Sequence, residues 1–262
     1  MSIDRRQPPS ERTDRTYRNV QRFVAGAFGL LGLRITVRGA EHLPATGPAV
    51  VASNHTGFLD FTFVGYAARE RGRLVRFMSK LSVFESRLSG RLMRAMRHIP
   101  VDRWSGATAY RQARRLLDDG EIVGVFPEAT ISRSWLVKGL KPGAAGLAIS
   151  KSVPLVPAVV WGSHRIMTVD GHRSLRRRKA VTILLGEPLR PAAGESIAGL
   201  TERLHTAMTA LLNEAISTFP DVPRSEADRW WLPQAHGGSA PPPDVAAALD
   251  RAALARINQP ID

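Results

Sequence analysis

Asn54-His55-Thr56-Gly57-Phe58-Leu59-Asp60 lies between two apolar runs, Ala49-Val50-Val51-Ala52 and Phe61-Thr62-Phe63-Val64. The first run reads as a buried strand and the second as the opening of a helix. A histidine and an aspartate therefore stand at a strand-to-helix junction, where side chains are exposed from a fixed backbone. Neutral imidazole accepts a proton near pH 7, and a carboxylate on its other nitrogen fixes the tautomer and stabilises the imidazolium. Residues five apart on one continuous helix face different sides. His55 and Asp60 meet only if His55 lies in the turn and Asp60 in the first helical turn; Asn54, Thr56 and Gly57 suit such a turn. Alone, the pair reads more readily as a surface histidine beside a helix-start aspartate. Its weight comes from the rest of the chain.

The chain has 262 residues, 44% of them hydrophobic, which suits one globular domain with tails. There is no cysteine, which excludes disulfides and thiolate metal sites. The formal net charge of +14 attracts nucleic acid, anionic lipid or phosphorylated substrates without choosing among them. The N-terminus is charged and lacks an early apolar core, so no secretory signal is expected. The longest apolar stretch, residues 23–33, contains three glycines and is too short to span a bilayer.

Residues 1–16 are polar and charged and are expected to be a disordered tail. From Tyr17 to Leu31 apolar residues recur at helical spacing with arginines between them. This predicts an amphipathic helix, packed on the core or lying in a lipid interface. Strands are expected over 33–38, 49–53, 74–78, 121–126, 155–161 and 181–185. Helices are expected over 60–71, 86–96, 108–119, 142–150 and 196–219, and residues 97–102 read as a short strand or turn. The alternation predicts an α/β domain over 17–221 with a mostly parallel sheet flanked by helices. Residues 222–262 read as an irregular tail, with a possible short helix from Val245 to Ile257.

Three further clusters follow the opening one. His98-Ile99-Pro100-Val101-Asp102-Arg103 ends in an Asp-Arg pair, which is either a surface ion pair or a guanidinium offered to phosphate. Phe126-Pro127-Glu128-Ala129-Thr130-Ile131-Ser132-Arg133 follows an apolar strand, where α/β sheets bind ligands, although Glu and Thr also cap helices. Val153-Pro154-Leu155-Val156-Pro157 brackets a strand with prolines, a structural signal for strand starts and edges.

In this order and spacing, the four clusters resemble the blocks of the glycerolipid acyltransferase family. Its Asn-His-x4-Asp block is matched by Asn54, His55 and Asp60, and its Asp-Arg pair by Asp102 and Arg103. Its Phe-Pro-Glu-Gly-Thr-Arg-Ser block is matched by residues 126–132, and its Val-Pro-hydrophobic-x-Pro block by residues 153–157. A family lysine before a glycine is matched by Lys141 and Gly143. The resemblance covers residues 17–219. Two positions depart from it. Ala129 stands for the block's Gly, and Ile131 for an Arg that helps hold the acceptor's phosphate in the family.

The resemblance implies a glycerol-3-phosphate acyltransferase-like fold and transfer of a fatty acyl group from a thioester, on coenzyme A or acyl carrier protein, to a hydroxyl. The implied acceptor is a lysophospholipid or glycerol phosphate, foremost 1-acyl-glycerol 3-phosphate. No cofactor, metal or protein nucleophile is needed. His55 would act as general base, worth ~10²–10⁴ in rate, with Asp60 orienting it. Backbone N–H groups near 126–128 would meet the oxyanion. Glu128, Ala129 and Thr130 would line the acceptor pocket, with Glu128 on an acceptor hydroxyl. Arg103, Arg133 or Lys141 would replace the missing Arg. The expected location is cytoplasmic, peripheral on the inner face of the cell membrane, with the first helix docking the bilayer and covering the acyl chain. The basic run from Arg165 to Lys179 reads as a solvated loop or as contact with headgroups, carrier protein or coenzyme A phosphates. Two readings compete with catalysis. One is a nucleic-acid binder stacking bases on Trp104, Trp135 and Trp161, which lacks a known signature. The other is a catalytically inert membrane-bound lipid binder. A hydrolase is weaker, since no Gly-x-Ser-x-Gly is present.

Overall fold

The structure, a computed structural model, describes Pro8, Glu11 and residues 13–102 and 106–257, the last four by backbone only. Arg103 and Trp104 lie outside the described residues. Seven strands form one sheet: β1 (Arg34–Arg38), β2 (Ala49–Ser53), β3 (Val75–Lys80), β4 (Ile99–Val101), β5 (Ile122–Val125), β6 (Leu155–Trp161) and β7 (Ala180–Leu185). Their order is β1-β7-β6-β2-β5-β3-β4, and only the β6–β7 pair is antiparallel. The mostly parallel α/β sheet is thus as the alternation predicts. Every residue of β2, β6 and β7 is buried, which explains their unbroken apolar sequences.

On one face lie α1 (Arg15–Leu30) and α2 (Asp60–Ala68); the Phe28 ring stacks on Phe63 with centroids 4.5 Å apart. Phe63 is fully buried, a burial worth about 1.5–3 kcal/mol. On the other face α5 (Gly106–Asp118), α6 (Gly143–Lys151) and α7 (Ile197–Ser217) share a core with Val50, Val123 and Leu155. In α7 the residues Leu200, Leu204, Met208, Leu212 and Ala215 are buried on one stripe, while Ile197 is exposed. The short α3 (Leu81–Glu85) and α4 (Arg87–Ala95) lead from β3 into edge strand β4.

Pro157 lies in β6, a central strand, rather than at a sheet edge. Its carbonyl stays in the ladder, accepting from Gly186 N–H at 2.8 Å just beyond the last residue of β7.

Near both ends of the chain, described residues are packed where the sequence predicts none to be. Glu11, in the stretch expected to be disordered, is fully buried and bonds the fully buried Arg73 at 2.9 Å. Asp14 caps α1 through the Tyr17 N–H and pairs with the buried Arg76 at 2.7 Å. Two buried guanidiniums need counter-charges: the N-terminal segment supplies that of Arg73 and shares that of Arg76 with the buried Glu121. At the other end Trp231 is 1% exposed and packs with Trp161, Trp135 and Leu212, and α8 (Pro243–Ile257) follows.

Candidate active site

The site lies at the carboxyl ends of β2, β5 and β6, where parallel sheets bind ligands. Past Ser53, Asn54 continues the β2–β6 pairing with its side chain. Its Oδ1 accepts from Val160 N–H at 2.7 Å and its Nδ2 donates to Val160 O at 3.1 Å. The chain then turns through His55, Thr56 and Gly57 before α2 begins at Asp60. The turn presses against residues 163–168, which follow β6. A Cβ on Gly57 would come within 3.0 Å of the Met167 carbonyl and 3.1 Å of the His164 nitrogen, so only glycine fits without a shift.

This turn brings His55 and Asp60 together. His55 Nδ1 lies 3.0 Å from Asp60 Oδ2, with the histidine side chain 21% exposed and the aspartate fully buried. The same oxygen accepts from Thr56 N–H at 2.7 Å and Gly57 N–H at 2.8 Å. Oδ1 accepts from the Ser163 hydroxyl. Four donors thus hold the carboxylate as an acceptor. His55 Nδ1 must carry the proton it donates, which leaves the Nε2 lone pair free; Nε2 has no hydrogen-bond partner among the described residues.

The His55 backbone is clamped from both sides by the loop after β5. His55 N–H donates to Glu128 Oε1 at 2.8 Å, and Ser132 N–H donates to the His55 carbonyl at 2.8 Å. The imidazole stacks on Phe126 with centroids 4.4 Å apart, and Phe126 stacks on Phe77 at 5.5 Å. Gly124 makes room for that Phe77 ring, since a Cβ there would lie 2.5 Å from two of its carbons.

Glu128 takes a different position from the one expected of it. It is 5% exposed, and its second oxygen accepts from Lys138 N–H at 3.1 Å. Burial pushes its carboxyl up to about 7, against the two N–H donors and Lys138, which favour the charged form. It holds the His55 backbone in place rather than reaching toward an acceptor hydroxyl. Ala129 is exposed and adopts a left-handed φ of 63°, the conformation that the family's glycine takes without strain. Its N–H donates to the Phe126 carbonyl at 3.0 Å. Ile131 is 6% exposed and packs in the tryptophan cluster, so the position of the missing Arg is a core position here.

The basic candidates separate. The Arg133 guanidinium pairs with Asp170 at 3.0 Å and with Asp250, so it holds the C-terminal helix rather than a ligand. Lys138 donates to Thr130 Oγ1 at 2.6 Å and to Asp250 at 2.8 Å, which also ties Thr130 down. Lys141 is exposed and fixed through its N–H to the Pro127 carbonyl at 2.8 Å. Its ammonium has no carboxylate within ion-pair distance among the described residues. Sequence reasoning missed Ser163 and also Thr168, whose hydroxyl donates to Thr56 O at 2.6 Å, and it placed Phe126 in the third block without its stacking on His55. Of the two missed residues Ser163 left the clearer sequence signal, since it stands two residues beyond the buried strand β6, which pairs with β2. The described residues contain no cluster of three metal-ligating side chains.

An acyltransferase family model matches residues 34–161, which span β1 to β6. The 1-acyl-sn-glycerol-3-phosphate acyltransferase of Bacillus subtilis is 30% identical over 203 residues, 74% of this chain and 97% of its own length. The chain belongs to the glycerolipid acyltransferase family. It is an acyltransferase. The human 1-acyl-sn-glycerol-3-phosphate acyltransferase alpha is 30% identical over 193 residues, 72% of this chain and 67% of that one. In three dimensions the chain is similar to the crystal structure of the 1-acyl-sn-glycerophosphate (LPA) acyltransferase PlsC from Thermotoga maritima, with a TM-score of 0.66. That match covers 78% of this chain and 81% of PlsC at 20% identity. In this acyltransferase no described helix is long and apolar enough to cross a membrane.

Proposed function

We propose that this acyltransferase moves a fatty acyl group from a thioester, on coenzyme A or acyl carrier protein, to the free hydroxyl of 1-acyl-glycerol 3-phosphate, in phospholipid biosynthesis. The observation that carries this reading is the buried Asp60 carboxylate on His55 Nδ1 at 3.0 Å, with Nε2 free. The Bacillus subtilis and human relatives, both 1-acyl-sn-glycerol-3-phosphate acyltransferases by name, support the acceptor. In the proposed reaction His55 Nε2 takes the acceptor's hydroxyl proton as that oxygen attacks the thioester carbonyl. The tetrahedral intermediate then collapses, the carbon–sulfur bond breaks, and the imidazolium returns the proton to the leaving thiolate. Asp60 stabilises the transient imidazolium. No cofactor takes part. Lys141, exposed and without a counter-ion among the described residues, is the proposed phosphate contact, with Arg103 as a second.

The enzyme is proposed to work on the inner face of an anionic membrane. Phe23 and Leu30 on α1 are 76% and 77% exposed, Leu175 is 75% exposed and Phe58, beside His55, is 46% exposed. Exposed apolar residues with arginines among them suit a lipid interface rather than nucleic acid.

The test is thiol release from palmitoyl-CoA by the purified protein, with lysophosphatidic acid, glycerol 3-phosphate, other lysophospholipids and a plain alcohol as acceptors. Release that depends on lysophosphatidic acid, and that falls at least about a hundredfold in His55→Ala with an unchanged melting curve, is expected. Full activity of His55→Ala would sink the mechanism. Release with non-phosphorylated acceptors alone would sink the assigned acceptor.

A further inference from the structure

The basic run between β6 and β7 folds against the segment after α7 to make a cleft of about 330 Å³. Its charged lining consists of Arg165, Arg176, Arg177, Arg178, Lys179 and Arg224 against two aspartates, Asp221 and Asp228. Asp221 is neutralised, since it bonds both Arg34 and Arg165, the latter at 2.6 Å. Asp228 accepts the backbone N–H of Arg224 at 3.0 Å. The cleft thus keeps an excess of four positive charges with little internal relief.

Lys179 is the buried cation of this lining. The residue is 8% exposed, its ammonium donates to the Ser174 carbonyl, and no carboxylate lies within ion-pair distance among the described residues. Burial, with Arg165 and Arg176 nearby, pushes its ammonium down to about 8. Burying a cation without a counter-charge is costly, and a charged loop with no role would turn it to solvent. The walls are firm. Trp230 stacks on His172 with centroids 4.3 Å apart, and the Arg165 guanidinium sits 4.4 Å from the Trp231 ring centroid.

We infer that this cleft is a binding site for a phosphate-bearing ligand, whose negative charge supplies the counter-charge that Lys179, Arg176 and Arg177 lack among the described residues. It is separate from the catalytic pair, because none of His55, Asp60 and Glu128 lines it. It shares a scaffold with that pair, since the loop after β6 supplies both Arg165 to the cleft and Ser163 to Asp60. The phosphate belongs either to an anionic lipid headgroup or to a soluble phosphorylated molecule. The inference stands on the cleft's own charge and burial and does not need the proposed acyl acceptor.

The test is direct binding to the full-length protein, followed by calorimetry and by the fluorescence of the tryptophans in the cleft wall. Three probes are used: inorganic phosphate, adenosine 3′,5′-bisphosphate, and vesicles of phosphatidylglycerol in phosphatidylcholine. The variant is Arg176→Gln with Arg177→Gln, both exposed and outside the core. Arg111→Gln with Arg114→Gln on α5 removes the same charge from another exposed face. At least about tenfold weaker binding of one or more probes in the cleft variant, with the α5 variant unchanged, is expected. Loss confined to vesicles assigns the site to a headgroup, and loss with the soluble probes assigns it to a free phosphorylated ligand. No binding of any probe, or equal loss in both variants, overturns the inference. His55→Ala should bind as wild type does, so failed transfer and failed binding are read separately.

Discussion

At the residue scale, Glu128 is the least expected participant. The four-block pattern locates it, but a pattern does not reveal that both carboxylate oxygens take backbone N–H groups, one of them from His55 itself. Its carboxyl is pushed up to about 7 by burial, from an ordinary value of 4.5. The folded state therefore binds more protons than the unfolded chain between those two values. Stability from this group is fully present below about 4.5 and is lost as pH rises toward about 7, by up to about 3 kcal/mol. Glu128→Gln keeps an acceptor for His55 N–H and removes the titration. Urea melts of both proteins from pH 5 to pH 8 should show the wild type losing stability relative to the variant as pH rises. Parallel curves would contradict the shift and leave Glu128 ionised throughout. The pairing of His55 with Asp60 was legible because a turn followed by a first helical turn is the one geometry in which residues five apart meet. Ser163 and Phe126 were not legible as partners, since they arrive from other strands.

At the element scale, α1 is both a core helix and a surface element. The buried Tyr17 donates from its hydroxyl to the Val75 carbonyl at 2.7 Å, and Gln21 bonds the Gly65 carbonyl at 3.1 Å. Its periodicity predicted the helix but could not divide the apolar positions between core and outside. The structure makes the division: Phe28 is 7% exposed, while Phe23 is 76% exposed. Because Phe23 and Leu30 touch little in the free protein, replacing both by Glu should leave the melting temperature nearly unchanged. It should weaken co-sedimentation with phosphatidylglycerol vesicles at least about tenfold, as each buried apolar side chain is worth about 1.5–3 kcal/mol. Equal sedimentation of variant and wild type would move the membrane contact elsewhere, to Leu175 or to Leu88 on α4, which are 75% and 83% exposed.

At the scale of the whole molecule, the strand and helix alternation made the parallel sheet legible, but the packed positions of Glu11 and Asp250 were not. These positions depend on ion pairs between distant residues, which periodicity cannot register. Glu11 reaches Arg73, and Asp250 on α8 reaches Arg133 and Lys138. The second contact bears on function through a short chain of bonds. Asp250 holds Lys138, the Lys138 N–H holds Glu128, and Glu128 holds the His55 N–H. Asp250→Asn keeps the size of the side chain and removes its charge from a site 9% exposed. Arg133 retains Asp170, so the loss falls mainly on Lys138. The variant should lose about 1–3 kcal/mol of unfolding free energy, below the figure for a fully buried pair because Lys138 is partly solvated. If the C-terminal helix steadies the catalytic turn, kcat should also fall, by about two- to tenfold, since small displacements of a general base are costly. Acceptor KM should change little, because Asp250 contacts residues of the scaffold. A destabilised variant with wild-type kcat below its melting temperature would instead mean that α8 closes the tryptophan cluster and that Glu128 keeps His55 in register without it.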